Sequence, residues 1–119
     1  MSTPPSPQGG DSLAHLADLA QRLAQFADER QWGPFHSPKN LASALIVEAG
    51  ELLEHFQWLT EDQSRQLGPE QKQAVAHEMA DVLLYLVQLS SSLNIDLMQA
   101  AREKMVLNAI KYPAKAAEA

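Results

Sequence analysis

A chain of 119 residues, 45% apolar, with fifteen acids against nine lysines and arginines and a net charge of −6, has the size of one domain and leaves little room for two. The negative balance sets a long nucleic acid or an anionic membrane surface against net repulsion, so an anionic small ligand needs metal ions or a few placed cations. No cysteine occurs, which removes disulfides and thiolate metal sites and fits a reducing cytoplasm.

The first ten residues, "MSTPPSPQGG", have neither the basic start nor the apolar core of a signal peptide, and are expected to form a disordered lead. No apolar run approaches the ~18 residues of a membrane span. Valine and isoleucine are sparse beside alanine and leucine, a balance that favours helices over strands. The expected fold is therefore all-α, a four-helix bundle-like protomer over residues 11–112, with a frayed tail at 113–119.

Ser12 is placed to cap a first helix that runs to about Arg30, with Leu13, Leu16, Ala20, Leu23 and Ala27 at spacings of three and four. Gly33 and Pro34 stop it. The linker "QWGPFHSPKN" then restarts a helix, with Ser37 suited to the N-cap and Pro38 to the first helical position. This second helix is expected over 38–59. A polar connection, "TEDQSRQLGPE", leads through Gly68 and Pro69 to a third helix over 69–92. Asp96 can cap a fourth, over 97–111, which Pro113 closes.

Acids interrupt the apolar faces of the second and third helices. At ~100° per residue, Leu41, Leu45, Glu48, Leu52 and Leu59 share one narrow stripe, so Glu48 occupies a core position. Glu51 sits beside that stripe, and Glu54 is rotated further toward the polar side. On the third helix Val75, Met79, Val82, Leu86, Leu89 and Leu93 form the stripe, with Glu78, Asp81 and Tyr85 running along its flank. An antiparallel pairing, which the short connection favours, lets Glu48 and Glu51 face Glu78 and Asp81 across a groove. Four such carboxylates repel one another and lose water, which disfavours their charged forms unless a cation binds. Oxygen donors without cysteine favour a hard ion, Mg²⁺ in particular, which is commonly held by a few carboxylates, water and substrate phosphates.

The stretches "EAGELLEHFQW" and "HEMADVLLYL" resemble the all-α nucleoside triphosphate pyrophosphohydrolases of the MazG-like superfamily, marked by E-x-x-E, a gap and E-x-x-D. Here these are Glu48-x-x-Glu51 and Glu78-x-x-Asp81. "ERQWGPFHSPKNLA" and "REKMVLNAIKYP" extend the likeness over about residues 22–113, toward the dCTP pyrophosphatase branch. The resemblance implies Mg²⁺-dependent hydrolysis of dCTP, or of a related deoxynucleoside triphosphate, to the monophosphate and pyrophosphate. It also implies a helical homo-oligomer, a tetramer first and a dimer second. Residue by residue it makes Glu48, Glu51, Glu78 and Asp81 the metal ligands. Trp32, His36, Trp58 and Tyr85 become the base and sugar pocket, and Lys104 with Asn108 the phosphate-binding pair. Glu51 and Glu54 both stand as the acid that activates water.

Taken one at a time, these residues have plainer readings. A single glutamate is commonly a boundary or surface acid; Trp58 fits a core as well as a pocket wall, and His36 fits a helix start as well as a base contact. Two acid pairs on two apolar flanks are harder to explain without a metal. A di-iron bundle expects Glu-x-x-His pairs and "HEMAD" lacks the second histidine of a zinc-peptidase helix, so neither ligand set fits. A non-catalytic helical assembly module is the remaining rival. Leu84 and Val87 lie away from the third helix's main stripe, and one chain is not expected to cover both sides, which predicts self-association through the second and third helices.

Overall fold

Capping residues and prolines set most element boundaries. Ser37 Oγ accepts from the Asn40 N–H at 3.2 Å with Pro38 at the first helical position, and the Asn40 carboxamide donates to the Phe35 carbonyl at 3.0 Å. Asp96 accepts from the Gln99 N–H at 3.0 Å. The computed structural model describes residues 15–115, and these form an all-α fold. Its helices are α1 (Leu16–Glu29), α2 (Pro38–Glu54), α3 (Glu61–Ser64), α4 (Pro69–Ser92) and α5 (Leu97–Lys111), with one 3₁₀ turn at Gly33–Phe35. Ser12, Leu13 and the expected lead at 1–10 lie outside the described residues. No helix among those described is long and apolar enough to cross a membrane.

α4 and α5 have the expected limits, whereas α2 stops short, at Glu54 instead of residue 59. Backbone bonds from His55 N to Leu52 O and from Phe56 N to Leu53 O tighten its end into i→i+3 turns. The connection then contains a helix of its own. Thr60 accepts from the Gln63 N–H at 3.1 Å while the Gln63 side chain accepts from the Thr60 N–H at 2.9 Å, a capping box that starts α3.

Helix α4 is the centre of the packing, with its most extensive contact on α2 and a smaller one on α1. α2 and α4 run antiparallel: Leu41, near the start of α2, lines one cavity with Gln88, Ser91 and Ser92, near the end of α4. Val75 and Val87 are both buried, yet twelve residues at ~100° each set them ~120° apart around the helix. α4 therefore buries two faces. The expectation that Val87 lies off the core, with no second cover inside one chain, is corrected: Val87 is 2% exposed because α1 packs on that side. Met79 and Leu93, assigned to the buried stripe from their spacing, are instead exposed.

The expected bundle is not closed within a single chain. α5 has no comparable packing against another described helix, and its Met105, Val106, Leu107 and Ile110 are exposed. Ile46, Val47 and Leu53 on α2 are exposed too.

The C-terminus of α1 aims the chain back toward α4. Gln31 N–H donates to Asp28 O at 3.0 Å and Trp32 N–H to Ala27 O at 2.9 Å, the paired bonds of a Schellman turn. Gln31 holds the left-handed conformation this requires, with φ 56°, where a β-carbon is disfavoured and glycine is not. Asn94 does the same after α4, with φ 55°, but asparagine tolerates that region better. Gln31 is exposed, so Gln31→Gly removes strain without removing packing and is expected to stabilise the protein by about 1 kcal/mol. Thermal unfolding followed by circular dichroism tests this, and an equal or lower midpoint refutes it.

Candidate active site

The stripe that turns Leu41 inward also turns Glu48 inward, into the seam between α2 and α4. Glu48, Glu78 and Asp81 each bring a carboxylate oxygen to within 4.8 Å of the others. Glu78 and Asp81 are three residues apart, so successive turns of α4 present both acids on one flank. Glu51, expected as a fourth ligand, is not part of this trio, although it is the first cause of the raised Glu48 pKa. Glu54, the last residue of α2, is exposed.

Nothing on the described chain neutralises this cluster. The ion pairs join Arg30 to Glu29 and Arg65 to Glu61 and Asp62, none of them in the group. One oxygen each of Glu48 and Glu78 is buried without a hydrogen-bond partner. A buried acceptor without a donor is costly. Oxygen donors converging around such orphaned atoms fit a hard divalent cation such as Mg²⁺ or Mn²⁺.

A cavity of about 140 Å³ adjoins the acids and shares Asp81 with them. Leu23 and Phe26 of α1, Trp32 and His36 of the following turn, and Leu84, Tyr85 and Gln88 of α4 complete its lining. Trp32 meets Phe26 edge to face at 5.5 Å between ring centroids and lies 5.9 Å from the His36 ring. The Arg30 guanidinium covers the Phe26 ring at 3.5 Å and donates to the Phe26 carbonyl at 3.0 Å, holding the end of α1 in place. Three residues singled out from sequence, Trp32, His36 and Tyr85, thus line one cavity although they come from two separate segments.

Leu23, Phe26 and Gln88 were not anticipated as lining. The available signal was spacing: Gln88 is seven residues beyond Asp81 and three beyond Tyr85, on the same row of α4. Trp58, 86% exposed, and Lys104 and Asn108, exposed on α5, belong neither to the acid trio nor to this cavity. A larger cavity, about 700 Å³, opens on the other side of α4 among Leu16, Leu83, Val87, Ile95 and Met98. It shares no residue with the acids.

Comparison with known proteins gives consistent relatives. A model of the MazG-like family matches residues 44–119. The chain is 44% identical over 101 residues to human dCTP pyrophosphatase 1, a match that covers 83% of this chain and 59% of the human protein. Against bovine dCTP pyrophosphatase 1 the identity is 39% over 114 residues, covering 94% of this chain and 68% of that one. The crystal structure of a pyrophosphatase from Archaeoglobus fulgidus superposes with a TM-score of 0.79 at 40% identity, covering 84% of this chain and 94% of the other. The chain spans about 59% of the length of the human and mouse relatives.

The crowding of acids has a measurable consequence. Proton sharing with Glu51, and next with Glu78, pushes the Glu48 carboxyl up to about 7 from its ordinary value of 4.5, with burial and the charges of the same two neighbours adding to it. Between those values the folded protein keeps a proton that the unfolded chain releases, so folding is favoured below the window and loses that contribution as pH rises through it. In the presence of a chelator, the melting temperature is expected to fall between pH 4.5 and 7, and Glu48→Gln to flatten this dependence. Thermal unfolding across that range measures both; a wild-type slope equal to the variant's rejects the assignment.

Proposed function

The chain belongs to the MazG-like family, and on that premise we propose that it is a nucleoside triphosphate pyrophosphohydrolase acting on dCTP or a modified dCTP. The products are the nucleoside monophosphate and pyrophosphate. The observation that carries this reading is the convergence of Glu48, Glu78 and Asp81 beside an aromatic cavity that shares Asp81. One end suits phosphate-bound metal and the other a flat ring. The dCTP pyrophosphatases among the relatives support the substrate class.

Glu48, Glu78 and Asp81 hold divalent metal, expected to be Mg²⁺. When bound, the ion screens phosphate charge and lowers the pKa of coordinated water. Glu51, beside Glu48, orients the attacking water toward the α-phosphorus and accepts its proton; Glu54 is exposed and is the weaker choice. The bond between the α-phosphorus and its bridging oxygen breaks, and pyrophosphate departs. Trp32, His36 and Tyr85 enclose the base and sugar.

Self-association belongs to the same reading. Apolar side chains exposed along α5 and α2, among them Met105 and Ile110 at 73% each, form more open hydrophobic surface than a soluble monomer normally keeps. A second copy of the chain covers them in a homo-oligomer, a tetramer or a dimer, and brings Trp58, Lys104 and Asn108 toward a bound triphosphate. A cytoplasmic role in maintaining the nucleotide pool follows from this substrate class.

Two measurements test these statements. Pyrophosphate release from a panel of deoxy- and ribonucleoside triphosphates is expected to be greatest with dCTP or a 5-modified dCTP and to require Mg²⁺. Asp81→Asn should lower the rate by ~100-fold or more, since even outer-shell partners of a metal are worth ~10–100-fold. Release that persists in chelator, or in Asp81→Asn at the wild-type rate, rejects the mechanism. Sedimentation equilibrium at micromolar concentration should return a multiple of the 13.1 kDa chain mass; a monomer alone rejects self-association.

A further inference from the structure

Gln88 is the one lining residue of the aromatic cavity whose side chain ends in a carboxamide. It is half-buried, and the reading above gives it no task. We infer that Gln88 is a specificity-determining residue that pairs with the N3 and 4-amino edge of a pyrimidine base held in this cavity. The inference rests on the pyrophosphohydrolase reading and extends it to base selection.

Position on α4 supplies the first argument. Asp81, Tyr85 and Gln88 occupy one row, rising ~10 Å from first to last at ~1.5 Å per residue. The acid trio anchors the phosphate end of a nucleotide at Asp81. The sugar then passes Tyr85, and the base extends toward Gln88. The part of a pyrimidine farthest from its sugar is the edge that carries N3 and the substituent on C4.

Chemistry supplies the second. A carboxamide carries an acceptor oxygen and two N–H donors side by side. On cytosine the 4-amino group donates and N3 accepts, so one planar amide meets both at once. Leu23, Phe26 and Leu84 supply the apolar part of the lining, while Trp32, His36, Asp81 and Tyr85 add polar groups; among all of these only the amide sets an acceptor and a donor side by side for both atoms of that edge. A polar edge left unpaired there costs more than it does in solvent. The cavity, about 140 Å³, lies below the ~300 Å³ at which drug-sized clefts begin; it suits a single ring rather than a whole nucleotide.

The test removes one group from each side of the contact. kcat/KM is measured for dCTP and for the 2-pyrimidinone deoxynucleoside triphosphate, which lacks the 4-amino group, using the wild-type protein, Gln88→Leu and Gln88→Met. The second variant guards against poor folding of the first, and circular dichroism checks both. The wild type should prefer dCTP by about tenfold, the worth of one neutral hydrogen bond at the upper end of its range. In a folded variant that ratio should fall to about one, mainly through a higher KM for dCTP. A folded variant that retains the wild-type ratio, or a wild type without the preference, overturns the role of Gln88 alone. A wild type inert toward every triphosphate overturns the proposed function and this inference together.

Discussion

The burial of α4 on two sides organises the molecule. α2 packs on the side of Glu78 and α1 on the side of Val87, and a helix committed to two partners has only a limited arc left. On that arc lie Asp81, Tyr85 and Gln88. Each of the two partners then supplies what the arc lacks: α2 brings Glu48 to the acids, and α1 brings Leu23 and Phe26 to the ring-sized cavity. The acid trio and the aromatic cavity are thus set in register by the packing of three helices. The turn that follows α1 completes the cavity with Trp32 and His36.

This arrangement costs stability. Glu48 takes a core position, and two of the acid oxygens in the seam have no donor. A carboxyl that holds its proton to about pH 7 eases the repulsion, and a divalent ion does so more completely. Only Ala27, Leu41, Val75 and Val87 form the buried apolar core among the described residues, a small core even for a domain of this size. A ligand or partner chain that binds the folded state alone would add stability that the isolated chain does not generate.

Most helix limits were legible because they are local. Ser37 with Pro38, Gly68 with Pro69, and Asp96 satisfy or pre-set the first turn using residues within a few places of one another. The capping box Thr60-Glu61-Asp62-Gln63 was equally local and escaped notice only because the connection reads as uniformly polar. The acid pairs were legible for a similar reason: helical period alone places Glu48 on a core stripe and Glu78 with Asp81 on one flank. What depended on a third helix was not legible. The burial of Val87 reports where α1 lies, and the exposure of Met79 reports where α2 does not. Spacing puts Gln88 on the row of Asp81 and Tyr85, but that Leu23 and Phe26 wall this row into a cavity depends on where α1 lies.

The Schellman turn at the end of α1 gives the two tryptophans unlike surroundings. Trp32 is drawn against Phe26 and His36 at the cavity wall, while Trp58 is 86% exposed in the turn that follows α2. Trp32 is 41% exposed and Trp58 86%, so an aqueous quencher should reach the second indole more readily than the first. Intrinsic fluorescence thus carries contributions from the cavity wall and from the α2–α3 turn that differ in their access to solvent, without any added dye.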